Sequence, residues 1–169
     1  MSESSSNSSS PPQLERLSGE SDAWAVGRVF RNAFRSPGCY EPTYIRNLMR
    51  LMNSPNFQAW GFRSHSERWE NYLSAAACIY CDNFNQDTKN KRAYIDFIGV
   101  NSPRNGVGSL MMKAIAEVYK QRDCAGIDLR CEKDIARFYE KAGFVVMSSY
   151  KSDTPPYKEF ARMSLDFIE

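Results

Sequence analysis

Histidine is nearly absent from this chain: His65 is the only one in 169 residues. It has no partner at metal-ligand spacing, and the C-x-x-C formed by Cys78 and Cys81 has no second such pair to complete a site. Those two cysteines also fall in a stretch that reads as a strand, where residues three apart point to opposite faces. No metal is expected. The five cysteines, an odd number, read as buried thiols in a reducing compartment. Long apolar runs are missing as well, since no window approaches the ~18 apolar residues of a membrane-spanning helix. The N-terminus lacks the charged-then-apolar pattern of a secretory signal, and Glu3 and Glu15 are out of place in an organellar transit peptide. The expectation is a soluble cytoplasmic protein, with the nucleus left open and no membrane partner. A formal net charge of +2 supplies no basic stripe for a phosphate backbone, so nucleic acid enters at most as a substrate.

What the chain does have is enough apolar residue to build a core, 42% with 13% aromatic. Residues 1–12, "MSESSSNSSSPP", read as a disordered serine-rich tail, and residues 13–169 as a single domain. "QLERL" reads as a short first strand. From Asp22, taken as an N-cap, Val26, Val29, Phe30, Ala33 and Phe34 fall at helical spacing until "SPGC" stops them. A second helix runs from Pro42, with Tyr44, Ile45, Leu48, Met49 and Met52 on one face. Strands follow at 57–63, 72–81 and 92–101, the last two joined across the polar insert 82–91 as an antiparallel hairpin. Val107, Leu110, Met111, Ala114, Ile115, Val118 and Tyr119 then define a firm helix. A strand at 126–131, a short helix at 133–142 and strands at 144–150 and 158–167 complete the order β-α-α-β-β-β-α-β-α-β-β. This is an α+β fold, a mixed, mostly antiparallel sheet flanked by helices.

Two clusters carry chemistry. In "NSPRNGVGSLMMKA" a strand enters a glycine-containing turn and a helix begins at once. The first turn of a helix leaves backbone N–H groups unpaired and carries partial positive charge, so it suits a phosphate. Gly106 and Gly108 leave the approach bare, and Arg104 adds a forked cation. The third glycine of a dinucleotide fingerprint is missing, as is the Gly-Lys-Ser/Thr of a P-loop, and a turn that merely needs a positive φ would read the same way. In "EKDIARFYEKAGF", Ile135, Phe138, Tyr139 and Ala142 line one face of a short helix that Gly143 caps. Alone, Tyr139 reads as a core aromatic with a hydroxyl to satisfy.

Taken in order, "DFIGV......GVGSLMM" followed by "ARFYEKAGF" resembles the GNAT superfamily of acyl-CoA-dependent N-acyltransferases. The resemblance covers nearly all of the chain beyond the tail. It implies a sheet splayed between its fourth and fifth strands, with acetyl-CoA as co-substrate. Pantetheine would pair with main-chain groups at Ile98, Gly99 and Val100, and the pyrophosphate would sit on Arg104, Asn105, Gly106, Val107, Gly108 and Ser109. Tyr139 would stand near the thioester sulfur and protonate the departing thiolate. The chain departs from the family pattern in three ways. Pro103 holds the slot usually filled by Arg or Gln, in a loop about two residues short. Glu132 replaces an asparagine common seven residues before the tyrosine. Tyr94 stands where one branch of the family has a glutamate base.

Asp96, on the same strand face as Tyr94, is a candidate for that base. A carboxylate that binds backbone amides or orients a neighbour, with a water chain as base, is the alternative. The acceptor would be an amine on a small molecule or a protein, bound by segments that contain Tyr40, Glu41, Tyr44, Tyr150, Asp153 and Tyr157. The implied activity is N-acetyl transfer by direct attack in a ternary complex, by a monomer or a homodimer. A non-catalytic acyl-CoA-binding or protein-interaction module on the same fold is the competing reading.

Overall fold

The computed structural model describes residues 12–81, 91–101 and 106–167. Most of the serine-rich tail, the insert 82–90, Pro103, Arg104 and Asn105 lie outside the described residues. The strands are β1 (Leu14–Arg16), β2 (Phe57–Ser64), β3 (Tyr72–Cys81), β4 (Arg92–Val100), β5 (Gly126–Glu132), β6 (Val145–Lys151) and β7 (Glu159–Asp166). The helices are α1 (Gly19–Phe34), α2 (Pro42–Met52), α3 (Val107–Gln121) and α4 (Ala136–Lys141), with 3-10 turns at Pro37–Tyr40 and Lys133–Ile135. The strands form one sheet in the order β1-β2-β3-β4-β5-β7-β6, parallel only between β4 and β5.

Each face of the sheet carries its own core. Helices α1 and α2 cover one face of β2 and β3, where Val26, Phe30, Ile45 and Leu48 pack on Phe57, Leu73, Ala76 and Cys78. On the other face Met111, Ile115, Tyr119 and Tyr139 pack on Ala75, Ala77, Ile79, Cys81, Ile127 and Leu129. Cys78 and Cys81 therefore face opposite ways, as period-2 geometry expects. All five cysteines are unbridged.

Three local expectations are corrected. Helix α1 starts at Gly19 with Ser18 as N-cap; Asp22 lies in its first turn, where its carboxylate reaches back to accept the Ser18 N–H at 3.0 Å. That reach-back satisfies a donor the helix leaves unpaired, which lets the helix begin one turn earlier. On α3, Leu110 is exposed and Met112 takes a buried place. In the segment 133–142 the first three residues form a 3-10 turn, so α-helical spacing does not carry through it. Ile135 and Phe138 are exposed as a result, Ala142 is also exposed, and Ala136 and Tyr139 are the buried pair. Gly143 closes α4 at φ 101°, a backbone conformation that glycine adopts freely.

Candidate active site

The site begins at a break in the strand pairing. Strands β4 and β5 are paired from Arg92 with Gly126 to Ile95 with Leu129, and no further. Against β3, Phe97 stands opposite Cys78 while Ile95 stands opposite Ile79, so Asp96 is the extra residue of a β-bulge. The bulge turns two neighbours, Asp96 and Phe97, toward the α1–α2 side. Phe97 packs there on Phe30 and Phe34, and Asp96 borders Tyr44, Leu48 and Cys78. Beyond the bulge the two strands part and leave a cleft of about 490 Å³. Its β4 wall runs from Tyr94 to Ile98, its β5 wall is Leu129, Arg130, Cys131 and Glu132, and Phe34, Tyr139 and Phe160 close it.

Tyr139 and Asp96, distant in sequence, line this one cleft. Tyr139 is 8% exposed, held between Phe138 and Phe144 with ring centroids at 5.1 and 5.9 Å. Burial first, and then the neighbouring Cys131 thiol, pushes its hydroxyl up to about 12. It therefore stays protonated at any physiological pH and can act as a donor. Asp96 is open to the cleft on one side while the cleft walls strip water from the other. That desolvation raises its carboxyl above the usual range, opposed by the Arg130 guanidinium across the gap. Among the described residues its carboxylate accepts no hydrogen bond, so no amide-binding role is visible there.

The cofactor candidates divide between β4 and the start of α3. Ile98 and Val100 turn toward the α3 side, where both pack on that core. Gly99 faces α1 so closely that a Cβ would stand 2.8 Å from the Ala33 Cβ. Past Ile95 the β5-facing edge of β4 lacks a β5 partner, which leaves main-chain groups there free to pair with a bound chain. Gly106 is the N-cap of α3 at φ 71°, in open space. Val107, Gly108 and Ser109 form the first turn, whose N–H groups have no carbonyl four residues back within the helix. Gly108 packs against Phe138, where an added Cβ would come within 3.2 Å of the ring.

Of the residues expected around the acceptor, Tyr44 borders Asp96 and Tyr150 stacks on Phe160 at the far wall. Tyr40 instead packs edge-on against Trp24, with Arg28 and Arg31 over its ring. Sequence reasoning missed Phe97, Cys131 and Arg130. The signal for the first was present: apolar residues at 93, 95, 98 and 100 slip phase by one position across Asp96. Among the described residues no group of three or more His, Cys, Asp and Glu could hold a metal ion. No helix among them is long and apolar enough to cross a membrane.

The described sheet is open and seven-stranded, parts between its one parallel strand pair, and has a glycine-capped helix at the end of the gap. Residues 34–144 match the family model described as "Acetyltransferase (GNAT) family", and the chain belongs to that family. No curated protein matches it in sequence. Among solved structures it is similar to the ribosomal-protein-S18-alanine N-acetyltransferase from Escherichia coli, at 14% identity, TM-score 0.71, 94% of this chain and 96% of that one. It is also similar to an aminoglycoside 6'-N-acetyltransferase complexed with coenzyme A (13% identity, TM-score 0.71, 93% and 98% of the two chains). A chain of the NatC complex bound to Gag peptide and CoA matches at 16% identity and TM-score 0.66, over 92% and 98%. At these identities the likeness is one of fold.

Proposed function

We propose that this protein is an N-acetyltransferase that moves an acetyl group from acetyl-CoA to a primary amine by direct attack in a ternary complex. The observation that carries the reading is the parted β4–β5 pair, with a protonated Tyr139 and a carboxylate, Asp96, lining one cleft. Acetyl-CoA supplies an activated thioester; the chain supplies position, a proton acceptor and a proton donor. The pantetheine arm would run along the unpaired edge of β4 at Ile98, Gly99 and Val100. The pyrophosphate would rest on the α3 start at Gly106 to Ser109, with Arg104 and Asn105 completing the loop.

Asp96, directly or through water, takes a proton from the ammonium form of the acceptor, and the freed lone pair attacks the carbonyl carbon. The C–S bond then breaks, and the nitrogen gives up its second proton to water as the amide forms. Tyr139 hydrogen-bonds the departing sulfur, which leaves as the thiol. At about 12 its hydroxyl is roughly three orders of magnitude less acidic than an ordinary thiol. Stabilisation of the developing thiolate by that hydrogen bond, with the proton made good from solvent, fits better than full transfer in advance of bond cleavage. Tyr139→Phe is expected to lower kcat by ~10²–10³ in a thiol-release assay over an amine panel, with acetyl-CoA affinity by calorimetry little changed. Binding of acetyl-CoA with no turnover of any amine would instead favour a non-catalytic module.

A further inference from the structure

Among the described residues no helix covers the face of β5, β7 and β6 that looks toward α1 and α2, and a hollow of about 720 Å³ opens there beside the cleft. Most charges around it are neutralised. Arg92 pairs with Asp128 at 2.9 Å and with Asp166 at 2.8 Å, Ser164 donates to Asp128, and Lys158 pairs with Glu132 at 3.0 Å. Arg130 and Arg162 are different. They stand directly opposite one another on β5 and β7, both exposed, and neither guanidinium makes an ion pair or hydrogen bond among the described residues. Like charges at directly opposed positions of an antiparallel pair destabilise a sheet, and Asp96 faces only Arg130, so an anion seated between the two forks would relieve the repulsion.

Aromatic rings hold the two guanidinium groups nearby. The Arg130 Cζ lies 5.8 Å from the Phe160 centroid, and the Arg162 Cζ lies 5.7 Å from that of Tyr150. The two rings stack on each other at 5.6 Å and 19°. Such contacts pin two otherwise mobile side chains and offer an apolar floor between them. Asp96 and Arg130 line the same cleft from its two sides, and Arg162 stands one strand further on, on β7.

We infer that Arg130 and Arg162 form the specificity element of the acceptor site and seat an oxyanion, carboxylate or phosphate, carried by the acceptor several bonds from its amine. The inference rests on the acetyl-transfer reading above: the amine faces Asp96, the chain of the acceptor crosses Phe160 and Tyr150, and the two forks close on the anion.

The test compares 6-aminohexanoate, 6-aminohexyl phosphate, 1-aminohexane and 1,6-diaminohexane as acceptors, all with acetyl-CoA. The anionic acceptors should be preferred over 1-aminohexane by tenfold or more in kcat/KM, and their ratio to each other tells carboxylate from phosphate. That preference should fall toward unity in Arg130→Gln and in Arg162→Gln, and turn toward the diamine in Arg162→Glu. Arg162→Lys, which keeps the charge and loses the fork, should retain part of it, and circular dichroism verifies that each variant is folded. Equal use of all four amines by wild type and variants would overturn the inference while leaving the acetyl-transfer reading intact. If no amine is turned over, that reading fails and a second measurement decides: titration of 6-aminohexanoate against arginine-¹⁵Nε-labelled protein in the presence of CoA. Shifts confined to the Arg130 and Arg162 signals support the anion seat, and unmoved signals overturn it.

Discussion

At the scale of single residues, the proposed chemistry rests on buried Tyr139 and on Asp96, an exposed residue whose carboxyl is partly desolvated. Tyr139 is held protonated and Asp96 is biased toward its neutral form, so one can donate while the other loses its proton more reluctantly than a surface aspartate. The cost and the use of Asp96 can be measured separately. Its folded value is raised, so its contribution to stability is full below the unfolded value of ~3.9 and is lost as pH rises through the folded one. At pH 7 the carboxylate is therefore a burden, and Asp96→Asn should melt above wild type there, with the gap closing near pH 3. As a base, Asp96 must be ionised, so wild-type kcat/KM should rise with pH through the same raised value. Asp96→Asn should lose that acidic limb and fall by ~10²–10⁴ at its plateau. Retention of full activity across pH would pass the role of base to a water chain.

At the scale of elements, two glycines expected at the cofactor answer to different forces. Gly99 is fixed by packing, because a Cβ would press on Ala33 at 2.8 Å and α1 would have to move. Gly106 is fixed by conformation, with open space around it and φ at 71°. Urea unfolding should therefore rank them: Gly99→Ala costs ~1–3 kcal/mol through overpacking, and Gly106→Ala ~1 kcal/mol through backbone strain. Ala33→Gly added to Gly99→Ala should recover part of the loss, less the cost of a helical glycine. Ala33 and Phe34 line the cleft, so Gly99→Ala should also weaken acetyl-CoA binding, whereas Ala33→Gly should partly restore it. The elements themselves were largely legible. Tyr72–Cys81 and Pro42–Met52 have the expected bounds because their patterns are unbroken and their ends carry strong stop signals. The bulge at Asp96 was missed although "AYIDFIGV" carries its phase slip, since one extra residue reads as ordinary alternation unless the partner strand is known.

At the scale of the whole molecule, the motifs announced a family and a splayed sheet, while the uncovered face of β5, β7 and β6 stayed illegible. Which strands sit side by side is decided by tertiary pairing, so nothing local could place Arg130 opposite Arg162 or bring Phe160 onto Tyr150. The same holds for the link between the halves of the sheet. β4 and β5 are joined by a short paired run from Arg92 to Ile95, and at its closed end Arg92 ties β4 to Asp128 on β5 and Asp166 on β7. Burial alone would raise the Asp128 carboxyl, but hydrogen bonds from Arg92 and Ser164 overcome it and hold the group below its usual range. A lowered value places this stabilisation above the unfolded ~3.9 and removes it as pH falls through the folded value. Arg92→Met should thus cost ~1 kcal/mol at pH 7, a figure kept small because the pair is about a third exposed. Between pH 7 and pH 2.5 the wild-type urea midpoint should fall further than that of the variant, so that the two converge. A gap that stays constant with pH would mean that packing of the Arg92 side chain, and not its ion pairs, holds the closed end of the cleft.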